Sequence, residues 1–399
     1  MKNKISDLAL FGGKALFDKP IHVGRPNIGN HKKILNEIEK VLDNCWLTNN
    51  GPAVQEFEQH ISKLLGVKHC IAMCNGTVAL EIAIRALELT GEVIVPSFTF
   101  IATAHALQWQ GITPVFCDIN PKTHTIDPEC IEKMITPRTS GIIGVHLWGR
   151  ACNVESLEKI AKKHKLKLMF DAAHSFGCSY KNQMIGNFGE VEIFSFHATK
   201  FCNTFEGGAV VTNNDELAAK IRLMKNFGFS GYDNVVYIGT NGKMSEVCAE
   251  MGLVSLENLN EFISANYENY QLYKKKSGDI SGLKMLEYNE KEKNNYQYIV
   301  FEVNEAETNI SRDNIIKILH AEKILARRYF YPGCHNMEPY KSYYPHSSFL
   351  LANTEKVAEK VLILPTGTGV TLNKIDNICK TMSFIIKNGK SISDKIYQL

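Results

Sequence analysis

The sequence predicts an α/β protein with a mostly parallel central sheet and helices on both of its faces. Between about residues 65 and 215, short β-rich runs alternate with helical patterns, which is typical of parallel sheets joined by helical crossovers. Several of these runs are continuously apolar, as expected for strands covered on both faces. The chain has 399 residues, 44% of them hydrophobic, which is enough for one large domain and a smaller one.

Local sequence patterns predict the individual strands and helices of this region. Apolar and β-branched runs predict strands at residues 69–74, 92–95, 114–118, 142–147, 167–171, 192–196 and 209–212. Helical spacing of apolar residues predicts helices at residues 76–89, 99–108 and 154–164. Each predicted helix lies between two predicted strands, so the region is expected to form one doubly covered sheet.

The pattern changes after about residue 245. Residues 246–270 predict one long helix, and the polar stretches 274–281 and 289–295 predict a connection between lobes. Beyond them, a strand is expected at 296–303 and a helix at 311–319. We therefore expect an N-terminal segment (1–25), a large α/β domain (26–270) and a small α+β domain (271–399).

Composition narrows the function classes. Lys plus Arg is 45 and Asp plus Glu is 42, a net charge of 45 − 42 = +3, which argues against a dedicated nucleic-acid or membrane-surface binder. The N-terminus does not read as a signal peptide, and the apolar region 93–116 is interrupted by Pro and Gln rather than typical of a membrane span. The 11 scattered cysteines form no CxxC pair, which favours a cytoplasmic protein with reduced thiols and no metal site.

Two strand ends carry polar groups suited to a ligand. Gly76 and Thr77 follow a predicted strand and begin a helix, whose free N–H groups suit a phosphate, although such a turn is more often only a helix cap. Asp171 ends an apolar strand, where open α/β sheets place ligands, and the alternative is a helix N-cap.

A lysine completes the set. Lys200 follows the apolar strand 192–196, where burial would favour the neutral amine that forms a Schiff base, and the alternative is an ordinary surface lysine. A pyridoxal 5'-phosphate site needs a phosphate cradle, an aromatic plate, a carboxylate for the ring nitrogen and a lysine for the aldehyde. The chain supplies these in order: Gly76 and Thr77, Phe100, Asp171, and Lys200.

In detail, the chain resembles the DegT/StrS-type sugar-nucleotide aminotransferases, which are fold-type I pyridoxal-phosphate enzymes. The resemblance is carried by WLTNNGP (46–52), MCNGTVAL (73–80), VPSFTFIATAHAL (95–107), PVFCDINPKTHTIDP (114–128), GVHLWG (144–149), FDAAHSFG (170–177), FSFHATK (194–200), EGGAVVT (206–212) and GTNGKMSE (239–246). These motifs are collinear and are spread over about half of the chain.

The resemblance implies a role for each matching residue. Lys200 resembles the Schiff-base lysine, Asp171 the partner of the ring nitrogen, and His174 the residue near the ring's phenolic oxygen. Phosphate ligands and the stacking residue are implied at Gly76, Thr77, Ser195 and Phe100.

A shared active site is also implied. Asn241 resembles the residue that reaches the cofactor phosphate of the other subunit, so the family implies a homodimer. Lys243 stands where many members have Arg, and a lysine does not reproduce a bidentate contact with an anion. Substrate contacts are expected at Thr48, Tyr331 and His335, where the alternative is a packed loop.

The implied reaction is a ping-pong transamination from L-glutamate to a nucleotide-linked keto-6-deoxysugar. HLWGR (146–150), IGTNGKM (238–244) and RRYFYPGCHNMEPY (327–340) resemble the members that make dTDP-4-amino-4,6-dideoxy-D-glucose from the 4-keto sugar. Amination at C3 of a dTDP-3-keto-6-deoxyhexose is the nearest alternative. A dehydratase relative, which has His in place of the lysine, and a non-catalytic cofactor-binding sensor are further alternatives.

Overall fold

The computed structural model describes residues 2–398. Its strands are β1 (Ile21–His22), β2 (His69–Met73), β3 (Glu92–Pro96), β4 (Thr113–Cys117), β5 (Thr139–Val145), β6 (Lys167–Asp171), β7 (Ser179–Tyr180), β8 (Gln183–Met184), β9 (Val191–Ser195), β10 (Gly208–Thr212), β11 (Leu283–Met285), β12 (Ile299–Val303), β13 (Ile324–Leu325) and β14 (Val361–Leu364).

Helices follow most of these strands. They are α1 (His31–Asp43), α2 (Pro52–Leu65), α3 (Gly76–Ala86), α4 (Ala102–Gln108), α5 (Pro128–Ile131), α6 (Val154–His164), α7 (Asp215–Met224), α8 (Glu246–Glu257), α9 (Leu259–Ser277), α10 (Glu305–Thr308), α11 (Arg312–Ala321), α12 (Tyr340–Tyr343), α13 (Ala352–Lys360), α14 (Leu372–Lys387) and α15 (Gly389–Tyr397). Short 3-10 helices occupy Ile5–Asp7, Ala9–Phe11, Glu132–Met134, Cys334–Asn336 and Ser347–Leu350.

A seven-stranded sheet in the order β2-β10-β9-β6-β5-β3-β4 organises the large lobe. All of its strand pairs are parallel except those of β10, which runs antiparallel to both β2 and β9. The predicted α/β class with a mostly parallel sheet is therefore confirmed. Because β4, β5, β6 and β9 run in one direction, their carboxyl ends meet at one edge of the sheet.

Alternate side chains of the strands enter two separate cores. Along β6, Phe170 packs on one face of the sheet and Met169 on the other, and along β9, Phe194 and Ile193 divide in the same way. This alternation follows from the two-residue period of a strand, and both faces are buried beneath helices.

The smaller lobe is built on the antiparallel sheet β11-β12-β14 with α14 packed against α9. The N-terminal segment joins this lobe: β1 pairs with β13, and the Glu322 carboxylate accepts hydrogen bonds from the N–H groups of Ala9 and Leu16. Of the helices within residues 2–398, none has the length and apolar character that crossing a membrane demands.

The prediction of one helix over 246–270 is wrong. Asn258 leaves the helical conformation (φ −95°, ψ 8°) and its side-chain amide donates to the Val254 carbonyl at 2.7 Å, which ends α8 and separates it from α9. The second helix then continues to Ser277, so the predicted connection at 274–281 is helical in its first half. Tyr270 and Tyr273 of α9 are buried among the small lobe's apolar side chains, and this packing outweighs the polarity of the lysines that follow.

A buried carboxylate joins three elements of the large lobe. Glu58 on α2 accepts hydrogen bonds from the Ala72 N–H of β2 at 2.8 Å, from Arg222 at 2.7 Å and from Lys225 at 3.1 Å. Glu58 and Lys225 are both almost fully buried.

We predict that Glu58→Gln lowers the free energy of unfolding by about 3 kcal/mol, because the buried Lys225 ammonium loses its counter-charge. The control is Glu257→Gln, which removes the exposed carboxylate paired with Lys33 and is expected to cost less than about 1 kcal/mol. Urea unfolding followed by circular dichroism measures the free energy of unfolding of both variants. Equal losses would contradict the role of Glu58 as the counter-charge of the buried Lys225.

Candidate active site

A cavity of about 420 Å³ opens at the carboxyl edge of the central sheet. The ends of β5, β6 and β9 and the first turn of α3 form its floor, and the small lobe closes one side. Seven of the residues selected from the sequence line it together: Gly76, Thr77, Phe100, Asp171, His174, Ser195 and Lys200.

The antiparallel strand β10 brings the α3 N-terminus to this edge. Gly208 pairs with Met73 on one side and with Ser195 on the other, so the chain that leaves β2 begins α3 beside the end of β9. A Cβ on Gly208 would stand 2.6 Å from the Asn75 carbonyl carbon, and a Cβ on Gly76 would stand 3.2 Å from the Ser195 Cβ. Only glycine permits the first of these approaches.

The first turn of α3 presents donors to the cavity. Asn75 caps the helix by accepting the Val78 N–H at 2.8 Å. The N–H groups of Gly76 and Thr77 precede any carbonyl that the helix could offer them, and the Ser195 hydroxyl lies beside them. Together with the positive end of the helix dipole, these groups form an anion site.

The Asp171 carboxylate is held on both of its oxygens. Thr103 on α4 donates its hydroxyl hydrogen to Oδ2 at 2.8 Å, and the Ala173 N–H donates to Oδ1 at 3.1 Å. The hydroxyl oxygens of Thr99 and Thr103 lie 3.2 Å apart. Since Thr103 gives its only hydrogen to the carboxylate, Thr99 is the donor in that pair, and the two bonds strengthen each other.

His174 lies next to Asp171 as a buried, neutral imidazole. Its ring packs against Tyr298, with centroids 4.3 Å apart, and against Trp148 and Phe330. Burial, reinforced by the Lys200 ammonium, holds the pKa of His174 well below its ordinary value. Its Nδ1 atom has no hydrogen-bond partner within residues 2–398, so the side chain has an unused polar atom beside the cavity.

Lys200 places its amine in the same cavity. Burial lowers its pKa to about 8, while the Asp171 carboxylate acts in the opposite direction. At pH 7 about a tenth of the side chain is therefore the uncharged, nucleophilic amine, compared with less than about 0.1% for an ordinary lysine.

Four residues of the small lobe line the cavity and were not selected from the sequence: Tyr298, Arg327, Tyr329 and Phe330. Tyr298 packs against His174, more than 100 residues earlier in the chain, and Arg327 is held by Ile363. The motif 327–340 includes the other three residues, but no local pattern shows that they line this cavity. Thr103 was missed for a similar reason, because a threonine within a helix does not reveal which carboxylate it contacts.

Comparison with known proteins identifies the scaffold. Residues 29–383 match the model of the DegT/DnrJ/EryC1/StrS aminotransferase family. The chain belongs to this family. The predicted resemblance is confirmed, and so is the prediction of a transaminase.

Curated relatives of the aminotransferase match it over most of their length. A dTDP-4-amino-4,6-dideoxy-D-glucose transaminase from Shigella dysenteriae is 38% identical over 365 residues, covering 92% of this chain and 99% of the relative. A GDP-perosamine synthase from Caulobacter vibrioides is 32% identical over 92% of this chain and 98% of its own.

A solved structure shares the whole architecture of this aminotransferase. The crystal structure of DesI in the presence of its TDP-sugar product is 45% identical, with a TM-score of 0.95, and the match covers 99% of this chain and 100% of that one. The fold and the order of the elements are therefore those of a sugar aminotransferase.

Four other selected residues of the aminotransferase do not line the cavity. Thr48 is exposed after α1, and Asn241 is exposed in a loop that bridges to Asn226. The Tyr331 ring lies beneath the guanidinium groups of two arginines, and His335 is buried with its Nδ1 atom 2.6 Å from the Ser97 hydroxyl. Their substrate or cofactor roles stay predictions, and the His335–Ser97 bond ties the small lobe to the large one.

The reactivity of Lys200 tests the electrostatics of the cavity. In the protein freed of cofactor, we predict that acylation of Lys200 reaches its half-maximal rate near pH 8, whereas an ordinary lysine titrates near about 10.4. Because Asp171 stabilises the ammonium, Asp171→Asn is expected to shift the midpoint to still lower pH. Competitive labelling at a series of pH values with mass spectrometry measures both midpoints. A midpoint in the ordinary lysine range, or an upward shift in the variant, would contradict this account.

Proposed function

We propose that the protein is a pyridoxal-phosphate-dependent aminotransferase that transfers the amino group of L-glutamate to C4 of dTDP-4-dehydro-6-deoxy-D-glucose. The observation that carries the proposal is the shared cavity of Lys200 and Asp171, in which the pKa of the amine is lowered to about 8. The product is dTDP-4-amino-4,6-dideoxy-D-glucose. The enzyme acts in the cytoplasm as a homodimer.

The donors of the cavity fit pyridoxal phosphate. The α3 N-terminus and Ser195 suit its phosphate, the Asp171 carboxylate suits its ring nitrogen, and Phe100, which is 58% exposed on the cavity wall, suits its ring face. The His174 Nδ1 atom, which has no hydrogen-bond partner within residues 2–398, suits the ring's phenolic oxygen, because a neutral imidazole can donate an N–H to it. This match of donors to groups supports the cofactor assignment.

When bound, pyridoxal phosphate supplies an aldehyde for the amine and a ring that accepts electrons from the substrate carbon. The residues of the chain supply the rest. Asp171, fixed by Thr103, would hold a proton on the ring nitrogen, and the α3 N-terminus would hold the phosphate. Lys200 would hold the cofactor through its aldehyde, and its amine would serve as the group that takes up and returns a proton.

The relatives support the sugar. The Shigella dysenteriae transaminase is named for the dTDP-linked 4-amino sugar, and the DesI structure was determined with its TDP-sugar product. Amination at C3 stays the alternative, because the same half-reactions apply and only the orientation of the sugar differs. A non-catalytic sensor is disfavoured by the complete set of Lys200, Asp171 and the phosphate cradle.

An exposed apolar surface supports the homodimer. Leu42 and Trp46 at the end of α1 are 58% and 50% exposed, and Ile238 in the loop after α7 is 74% exposed. Asn49 and Asn226 line one small pocket, so these two segments adjoin each other, and Asn241 bridges to Asn226 at the same place. Exposed apolar side chains on neighbouring segments are typical of a subunit interface, and an interface here would bring Asn241 to a partner.

The reaction is tested by the position of the new C–N bond. With glutamate and the dTDP-4-keto sugar, we expect two-dimensional NMR of the product to place nitrogen on C4, and the purified protein to absorb visible light. Lys200→Ala is expected to lose both the covalent attachment of the cofactor and transamination, while retaining its fold by circular dichroism. Absence of transfer to the 4-keto sugar, together with nitrogen on C3 of the product formed from the dTDP-3-keto-6-deoxyhexose, would favour the alternative sugar. An active Lys200→Ala protein would refute the proposal.

The shared active site is tested by complementation. Lys200→Ala and Asn241→Ala homodimers are each expected to be impaired. Mixed dimers contain one site that has both Lys200 and the partner subunit's Asn241, so the mixed dimer purified after co-expression is expected to have about half of the activity of the parent dimer. If Asn241 acted within its own subunit, the only site with Lys200 in the mixed dimer would lack Asn241. The mixed dimer would then be no more active per Lys200 site than the Asn241→Ala homodimer.

A further inference from the structure

Arg327 is a cation on the cavity wall for which the amination chemistry described above has no use. Its backbone exchanges two hydrogen bonds with Ile363 on β14, at 3.0 and 2.9 Å, which fixes its position on the small lobe. The guanidinium lies over the Tyr329 ring, 5.1 Å from the centroid. Among residues 2–398, no carboxylate oxygen lies within 4 Å of it, so the charge is exposed and uncompensated.

The neighbouring arginine differs in each of these respects. Arg328 pairs with Asp313 at 3.1 Å and lies over the Tyr331 ring. It is not among the residues that line the cavity. Arg328 is therefore paired with a carboxylate that it shares with Arg312, whereas Arg327 faces the cavity with no carboxylate partner among residues 2–398.

The remaining charges of the cavity explain why such a group is needed. Asp171 and Glu206 contribute carboxylates to its lining, and Lys200 is partly neutral because of its lowered pKa. An anionic substrate that enters meets these carboxylates, whose charges oppose it. Arg327 is permanently charged, and its planar group can donate two parallel hydrogen bonds to a carboxylate or a phosphate.

We propose that Arg327 binds an anionic oxygen group of the substrate, either a carboxylate of the amino donor or the diphosphate of the nucleotide sugar. This proposal rests on the proposed function, in which both substrates occupy the cavity in turn. The Tyr329 ring restricts the guanidinium before the substrate arrives, which lowers the entropy lost on binding. Lysine at this position would keep the charge but lose the forked geometry.

The experiment measures dissociation constants of two probes for the holoenzyme by calorimetry: glutarate for the carboxylate and thymidine diphosphate for the diphosphate. Arg327→Gln is expected to raise the dissociation constant of at least one probe by about 10- to 100-fold, the size of a charged hydrogen-bond contact. The dissociation constants of Arg327→Lys are expected to lie between those of the parent and those of Arg327→Gln. The matched control is Arg328→Gln, which is expected to leave both constants within about twofold.

The pattern of losses identifies the group. If Arg327→Gln loses affinity for glutarate alone, Arg327 binds the carboxylate of the amino donor. If it loses affinity for thymidine diphosphate alone, Arg327 binds the diphosphate. Loss of affinity for both probes means that each substrate uses the contact in turn. The KM of the corresponding substrate is expected to rise more than kcat falls, with the absorption spectrum of the bound cofactor unchanged.

Two results would overturn the proposal: unchanged constants in Arg327→Gln, or an equal loss in Arg328→Gln. A parent enzyme that bound neither probe would overturn it as well. Failure of the proposed function is a separate result, because it appears as absent transfer to the keto sugar by the parent enzyme, whatever the two arginine variants do.

Discussion

The site depends on the opposition between burial and charge at Lys200. The amine is removed from water far enough for its pKa to fall to about 8, and the Asp171 carboxylate in the same cavity resists that fall. Without burial the lysine would stay an ammonium, and without the carboxylate it would lose its charge further. The sheet edge, the α3 N-terminus and the wall from the small lobe all serve to keep these two groups in one partly enclosed space.

The sequence predicted the large-lobe half of this space well, for a physical reason. Gly76 and Lys200 follow apolar runs and Asp171 ends one, and the carboxyl ends of parallel strands meet at one edge, whereas Ser195 was implied by the family resemblance. A predicted strand therefore indicates where its last residues lie in the fold as well as their secondary structure. The boundary between α8 and α9 was not predictable in this way, because Asn258 ends a helix through a side-chain bond rather than through a Gly or Pro signal.

The small-lobe half was not predictable from local patterns. Arg327, Tyr329 and Phe330 reach the cavity only because the segment behind them is tied to the large lobe, by His335 to Ser97 and by Tyr340 to His105 at 2.7 Å. His335 connects the two lobes in the structure, and its contact with substrate stays a prediction from the sequence. These hydrogen bonds join residues more than 230 positions apart, and no periodic pattern along the chain can predict them.

The direction of β10 has a consequence for how far Lys200 can travel. The chain leaves the sheet at Ser195 and returns at Gly208 directly beside it, so the segment that carries the lysine departs from and re-enters the same rim. Hydrogen bonds between β9 and β10 hold both of its ends, and just inside them the Phe196 carbonyl accepts the Thr204 N–H at 2.9 Å. The backbone at position 200 thus lies on an arch that is anchored at both ends, so the reach of the amine depends chiefly on rotation about the bonds of its four-methylene side chain.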